Sequence, residues 1–268
     1  MVRPAAALAC LVVWLLGSGG PAGGQPALPI EVTGATFLEY DDRTGHLRAE
    51  GAPVVVTRGR TTLRAPRVRY EARTQVALAT GGVTAEEPGL TVRAEEAEFR
   101  FADDRFRAWG GVVVWSRRDD QTTTLSAPQV EGSLQTRRFA ASGGVAVDRG
   151  EWRVLGRRLD YDDGTGVAVV TGDPEARFRE ATMTAEVIRF HVRDETASGQ
   201  GNVRLRRSEL EGRAARADVA GREGRAVLSG GARVDRGTDR LTAEVIEVDL
   251  DGSRVTARGR SRLVVSPR

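Results

Sequence analysis

The chain has 268 residues, of which 40% are hydrophobic but only 5% aromatic, with 32 glycines, so its core is built from small and β-branched side chains broken by many turns. All 40 basic residues are arginine, and they nearly balance 37 acids to leave a net charge of +3. Arginine and glutamate alternate with apolar residues throughout instead of forming a basic run, which argues against a nucleic-acid binder.

Residues 1–24 read as an export signal. Arg3 is a short positive start, Ala5 to Leu16 is apolar, and the small residues Gly17 to Gly24 supply a cleavage site before Gln25. Such an apolar stretch is short for a membrane span, and retention as an N-terminal anchor is the alternative. The single cysteine, Cys10, lies within this segment, so the chain beyond Gln25 has no disulfide, thiol nucleophile or cysteine zinc site.

From Gly51 onward one phrase recurs. Glycines at 51, 81, 110, 143, 172, 201, 230 and 259 mark eight units, spaced 29 or 30 residues apart except for a longer step between Gly110 and Gly143. Fixed spacing of this kind signals an array of one supersecondary unit. Within a unit the apolar residues alternate with polar ones: Val54 and Val56, Leu63 and Ala65, Val68 and Tyr70, Val76 and Leu78. Period two without period 3.6 predicts half-buried strands, four of five or six residues per unit, with one apolar and one polar face. The expectation is an all-β fold: an elongated stack of short antiparallel strands in two facing sheets, an open β-jellyroll or β-solenoid of about eight repeats. Residues 25–268 form this body, and the polar stretch near 115–125 is where two tandem lobes would join.

The Asp/Gly clusters at Asp41 to Gly45, Asp103 to Arg105, Asp162 to Gly166 and Asp251 to Ser253 recur at one place in the unit, as hairpin turns do. Pro66 and Pro128 occupy equivalent positions and mark a corner, since proline cannot donate to a ladder. Paired aspartates suit acid/base or metal chemistry, but recurrence at one structural position favours turns. His46 and His191 are far apart in sequence, and no nucleophile elbow, zinc motif or phosphate loop is present. No catalytic residue, metal ligand or cofactor is expected, and the protein is not expected to be an enzyme. Trp109, Trp115 and Trp152 are expected in the core.

The phrases Gly143-Gly144-Val145-Ala146-Val147 and Gly201-Asn202-Val203-Arg204-Leu205, with Leu63-Arg-Ala65-Pro-Arg-Val68-Arg-Tyr70 and Met183-Thr-Ala185-Glu-Val-Ile188-Arg-Phe190, carry a resemblance. The pattern resembles the OstA-like domain of the periplasmic lipopolysaccharide-transport proteins LptA, LptC and the N-terminal domain of LptD, over residues 31 to 268. That resemblance implies a twisted jellyroll whose two sheets hold lipid A acyl chains, a periplasmic location, and end-to-end stacking through edge strands. Such a track bridges the inner and outer membranes, with ATP hydrolysis supplied by a separate transporter and membrane contact made through partners. The implied partners are lipopolysaccharide and other Lpt proteins or further copies of the chain, with no nucleic acid. The expected groove residues are Val54, Leu63, Tyr70, Leu78, Val92, Phe99, Phe106, Val112, Leu125, Phe139, Val145, Leu159 and Tyr161, and the expected edges are Glu31 to Phe37 and Arg262 to Ser266. Eight units exceed a typical LptA, so the chain replaces several copies or fuses two domains. The competing reading is a structural or adhesin-like β-repeat with a filled core.

Overall fold

The computed structural model describes residues 31–265 apart from 59, 101, 104, 119, 120, 134 and 252. The segment read as an export signal, residues 1–24, lies outside the described residues. Each 29-residue period is a pair of long antiparallel strands. The first nine are β1 (Glu31–Asp41), β2 (His46–Arg58), β3 (Thr61–Glu71), β4 (Val76–Glu87), β5 (Leu90–Arg100), β6 (Arg105–Arg118), β7 (Gln121–Ser133), β8 (Arg138–Arg149) and β9 (Trp152–Asp162). There follow four short strands, β10 (Val167–Thr171), β11 (Glu175–Phe178), β12 (Ala181–Thr184) and β13 (Val187–His191). Long strands resume with β14 (Thr196–Arg207), β15 (Leu210–Ala220), β16 (Arg225–Arg236) and β17 (Asp239–Asp249), and β18 (Val255–Arg258) and β19 (Arg262–Val264) both pair with β17.

The expected four short strands per period are therefore two strands of 11 to 14 residues, each bent in the middle. The bend has a chemical cause. On β4, Gly81 and Gly82 at φ 89° and 93° insert one extra residue opposite β5, where Thr80 pairs with Glu96 and Val83 with Ala94. A bulge of this kind turns the strand, and the left-handed backbone favours glycine. The first glycine also leaves space for the bend residue of the preceding strand. A Cβ on Gly81 would lie 3.3 Å from Pro66 Cγ, one on Gly110 would lie 2.3 Å from Glu95 Cβ, and one on Gly230 would lie 2.8 Å from Ala215 Cβ. Pro66 and Pro128 thus sit inside β3 and β7, at the corner expected of them, without ending the strand. In the period that holds β10 to β13 the bend interrupts the strand outright.

The turns between strands use aspartate as expected. Asp41 Oδ1 accepts from the backbone N–H of Arg43 at 2.9 Å, and Asp251 Oδ1 accepts from Ser253 at 2.7 Å. Asp163 is buried beside Arg137, and Asp162 Oδ2 accepts from Arg138 Nε at 3.2 Å.

The described residues divide into two compact units, 31–143 with 162–164, and 144–161 with 165–265. The stretch 115–125 lies in the β6–β7 hairpin of the first unit. In each unit the halves of the bent strands form two arms that share a core. In the first, Ala49, Val68 and Ala79 from one arm cluster with Val54, Val56, Ala65 and Val83 from the other. In the second, Leu228 on one arm fills the space above Gly212 on the other, where a Cβ would meet its Cδ1 at 2.7 Å. This is a two-layer β-jellyroll packing, with Ala, Val and Gly letting the arms approach closely.

Candidate functional site

Strand pairing lines up the inward side chains of the first unit in rows that cross the strands. Along the arm that precedes the bend, the outer row is Tyr40, Leu47, Tyr70, Ala77, Phe99, Phe106 and Gly132, each registered against the next. Nearer the bend runs a row of smaller residues, Ala49, Val68, Ala79, Ala97, Ala108 and Val130. On the other arm the outer row is Val32, Val56, Leu63, Ala85, Val92, Val114 and Leu125. Side-chain size falls toward the bend, where the arms are close, and rises away from it.

Six of the thirteen sequence-expected residues fall into these rows. Tyr70, Phe99 and Phe106 share one row, with Phe139 beside Phe106 at a ring separation of 5.9 Å. Leu63, Val92 and Leu125 share the facing row, while Val54 and Val112, almost fully buried, flank the bend. Tyr70, Leu63, Val92 and Phe106 are only half-buried, so both outer rows keep apolar surface in reach of solvent. Val145, Leu159 and Tyr161 belong to the second unit, where Val145 and Leu159 are buried and Tyr161 is half-buried.

Leu78 is the exception. Register pairs it with Arg69 and Glu98, and it lines a shallow cleft of about 200 Å³ with Arg67, Arg69, Thr80 and Glu96 on the polar face. The inward residues of that strand are Ala77 and Ala79. Both sets alternate in sequence, and register with Tyr70 and Phe99 puts Ala77, not Leu78, on the inward face. Trp109 and Trp115 likewise correct the core expectation. They face outward, with the guanidinium of Arg107 5.6 Å above Trp109 and that of Arg93 5.2 Å above Trp115. Trp152 is in the core, 4.7 Å from Phe178 and 5.2 Å from Phe190.

The groove residues expected from sequence do not include Leu47, Ala77, Val114 and Gly132. Gly132 makes room for two phenyl rings, since a Cβ there would meet Phe139 Cδ1 at 2.5 Å and Phe106 Cε1 at 2.9 Å. Its signal in sequence was slight: a lone glycine where the alternation calls for an apolar residue.

The outer faces carry charge in closely matched pairs. Arg48 Nη2 lies 2.6 Å from Glu50, Arg158 Nη2 2.5 Å from Asp160 and Arg216 Nη2 3.0 Å from Asp218, each two residues apart on one strand. These exposed pairs keep the outer face wet and contribute little each to stability. His46 and Glu71 lie 3.3 Å apart at strand ends, and among the described residues no group of His, Cys, Asp and Glu is placed to hold a metal ion.

The large exposed apolar residues are concentrated at the two ends of the described chain. They are Phe37, Leu38 and Tyr40 on β1, and Leu263, Val264 and Val265 at β19. Among the described residues β1 is registered against β2, and β18 and β19 against β17.

Comparison with known proteins follows the same lines. Residues 32–196, more than half of the chain, match the family described as the LptA/(LptD N-terminal domain) LPS transport protein. No curated protein matches the chain. Among solved structures, LptH, the LptA homologous periplasmic component of the lipopolysaccharide transport device of Pseudomonas aeruginosa, is similar at 20% identity and a TM-score of 0.40, over 43% of this chain and 95% of that one. With its all-β, bent-strand architecture, the chain belongs to the family of LptA and the LptD N-terminal domain, the lipopolysaccharide-transport proteins.

Proposed function

We propose that the protein is a periplasmic carrier that holds the acyl chains of lipopolysaccharide between its apolar rows and joins its neighbours through its end strands, forming part of a bridge between the two membranes. The observation that carries this reading is the pair of half-buried apolar rows in the first unit, Leu47, Tyr70 and Phe106 on one arm and Leu63 and Val92 on the other, inside the segment that matches the family. Each methylene taken out of water against such a surface contributes about 0.8 kcal/mol, so a modest contact length holds an acyl chain. The export-signal reading of residues 1–24 supports the periplasmic location.

The end strands support the second half of the proposal. Residues 31–42 carry four acids and no base, and residues 253–265 carry four arginines and no acid, beside the exposed apolar residues of each end. Uncovered edges with matching apolar and opposite charged side chains suit β-augmentation between modules.

The test is recovery of the full chain from the periplasm of a lipopolysaccharide-producing host after mild osmotic shock, followed by blotting for bound lipopolysaccharide. Co-purification that survives gel filtration is expected. Lipid-free protein that also fails to take up purified lipopolysaccharide would rule the carrier out.

A further inference from the structure

The second unit opens where the ends of its two arms meet solvent. Along β14 the inward positions are Val203, Leu205 and Arg207, and along β16 they are Ala232, Val234 and Arg236. The alternation that buries aliphatic side chains thus carries two arginines onto the interior side at the strand ends, and register sets both beside Leu210 of β15. On the facing arm β17 runs through Val248, and Leu250 follows, its backbone N–H donated to Gly224 O at 2.6 Å. Between these two lips lies a cleft of about 460 Å³, inside the range of roughly 300–1,000 Å³ common to small-ligand sites. Its floor is Leu205, Leu210, Val248 and Leu250, none more than 7% exposed.

The rim carries both signs of charge, and they are separated. Arg207 and Arg236 line one lip, with Glu209 exposed at the tip of the β14–β15 turn, and Asp249 and Asp251 line the other. Arg207 is held in place, with its side chain 22% exposed and 3.4 Å from Glu180. The lips are close enough to interact. Asp251 titrates below its usual value chiefly because Ser253 hydrogen-bonds its carboxylate, and the charge of Arg207 adds to the depression. A purely anionic head at this rim faces three carboxylates, and a purely cationic one faces two guanidiniums. A phosphate joined to an ammonium by a short linker meets its complement on each lip, with charge-assisted hydrogen bonds from arginine to the phosphate. The aliphatic floor then takes methylenes of the attached tail out of water.

We infer that this cleft binds an acyl tail of a lipid whose head is zwitterionic, a phosphate and an ammonium, so that the second unit takes a lipid class other than lipopolysaccharide. The site lies within residues 205–251, beyond the segment 32–196 that matches the family, and it stands or falls apart from the carrier reading above.

The test is calorimetric titration of the full chain with amphiphiles of matched tail length, each kept below its micelle-forming concentration. The heads are lysophosphatidylethanolamine, which is zwitterionic, lysophosphatidylglycerol, which is anionic, and trimethylammonium, which is cationic. Saturable binding of the zwitterionic amphiphile, about tenfold tighter than either of the others, is expected. Arg236→Gln, and Asp251→Asn, which keeps the side-chain oxygen facing Ser253, should each weaken it about fivefold in proteins that melt like the parent. Asp249→Asn combined with Asp251→Asn should shift the preference toward the anionic head, because the repelling lip is gone. Absence of binding by the zwitterionic amphiphile, equal affinity for the three heads, or affinities that every rim variant leaves unchanged would each overturn the inference. Co-purified lipopolysaccharide is scored separately on the parent protein, so its absence counts against the carrier reading and not against this cleft.

Discussion

The side-chain amide of Asn202 donates to Glu186 Oε1 at 2.5 Å, across the bend between β14 and the strand before it. Asn202 stands where the bends at Gly82, Gly111, Gly144 and Gly231 carry a second glycine, and it holds a left-handed backbone with φ 47°. Asp173 does the same in its own period at φ 57°, with its carboxylate 2.7 Å from Arg157 Nη2. In these two periods the second glycine is replaced by an Asn or Asp that tolerates this backbone and ties itself to the bend residue of the preceding strand.

This relationship predicts the order of substitutions at 202. Asn202→Gly keeps the backbone and loses one exposed hydrogen bond, so stability should change by no more than about 0.5 kcal/mol. Asn202→Val forces a β-branched residue into the left-handed region and should cost roughly 1–3 kcal/mol. Urea unfolding of the two variants checks it, and a valine variant as stable as the parent would show that the bend does not need this backbone.

The position of Leu78 on the outer face makes a second prediction. Leu125 is 8% exposed in an inward row, so Leu125→Ala should cost about 2–5 kcal/mol. Leu78→Ala, beside Arg69 and Glu98, should cost less than about 1 kcal/mol. Thermal or urea unfolding distinguishes them, and comparable losses at both sites would mean that the face of β4 is misjudged.

Alternation made the all-β architecture, the hairpin aspartates and most of the inward residues legible, because side-chain direction in a strand follows position modulo two. The bends were less legible. A Gly-Gly pair reads as the end of one strand and the start of another, whereas a bulge carries pairing through it, so strands of twelve residues look like two of six. The same bulge shifts the count of one strand against its neighbours. Hence Val76 and Leu78 looked inward on hydrophobicity, although Ala77 and Ala79 line the interior. Trp109 and Trp115 escaped for another reason: an arginine stacked on an indole face makes an outward tryptophan acceptable, and that partner lies two residues away in one case and on the adjacent strand in the other.

Stability should fall in acid. Asp41, Glu71 and Asp251 titrate below their usual values because Thr44, Thr74 and Ser253 respectively hydrogen-bond their carboxylates. At Asp235 burial pushes the pKa up, but hydrogen bonds from Arg233 and Arg240 outweigh it and the net shift is downward. A carboxyl depressed in the folded state contributes stability that is fully present above its unfolded value, about 4, and lost as pH falls through the folded value. Glu87 is opposite in sign: burial raises it, so protonation as pH falls relieves a cost. Glu211 is depressed as well, by the hydrogen bond from Arg213, so with five groups against one the urea midpoint should stay level from pH 7 to 5 and drop below pH 4, and Asp235→Asn should shrink the drop. A midpoint that rises below pH 4 would contradict the assignment.

The end strands predict an association that depends on salt and has a direction. The β1 edge presents Glu39, Asp41 and Asp42 with Phe37 and Tyr40, and the C-terminal segment presents Arg258, Arg260 and Arg262 with Leu263 and Val265. Opposite charges on two different surfaces of one chain make a heterologous contact, which propagates instead of closing as a twofold dimer. Exposed charges are screened within about 8 Å at physiological ionic strength and within about 3 Å at 1 M. Sedimentation of the full chain should therefore show mass rising with concentration at low salt, and less of it at high salt. Reversing Arg260 and Arg262 to glutamate should abolish the association, and adding a partner with Glu39→Arg and Asp42→Arg should restore it in mixed samples only. Restoration is the informative arm, since an unfolded or merely more soluble variant would not regain a partner through a complementary change at the other end. Association unaffected by either reversal would place the contact elsewhere, on surfaces that do not include these two strands.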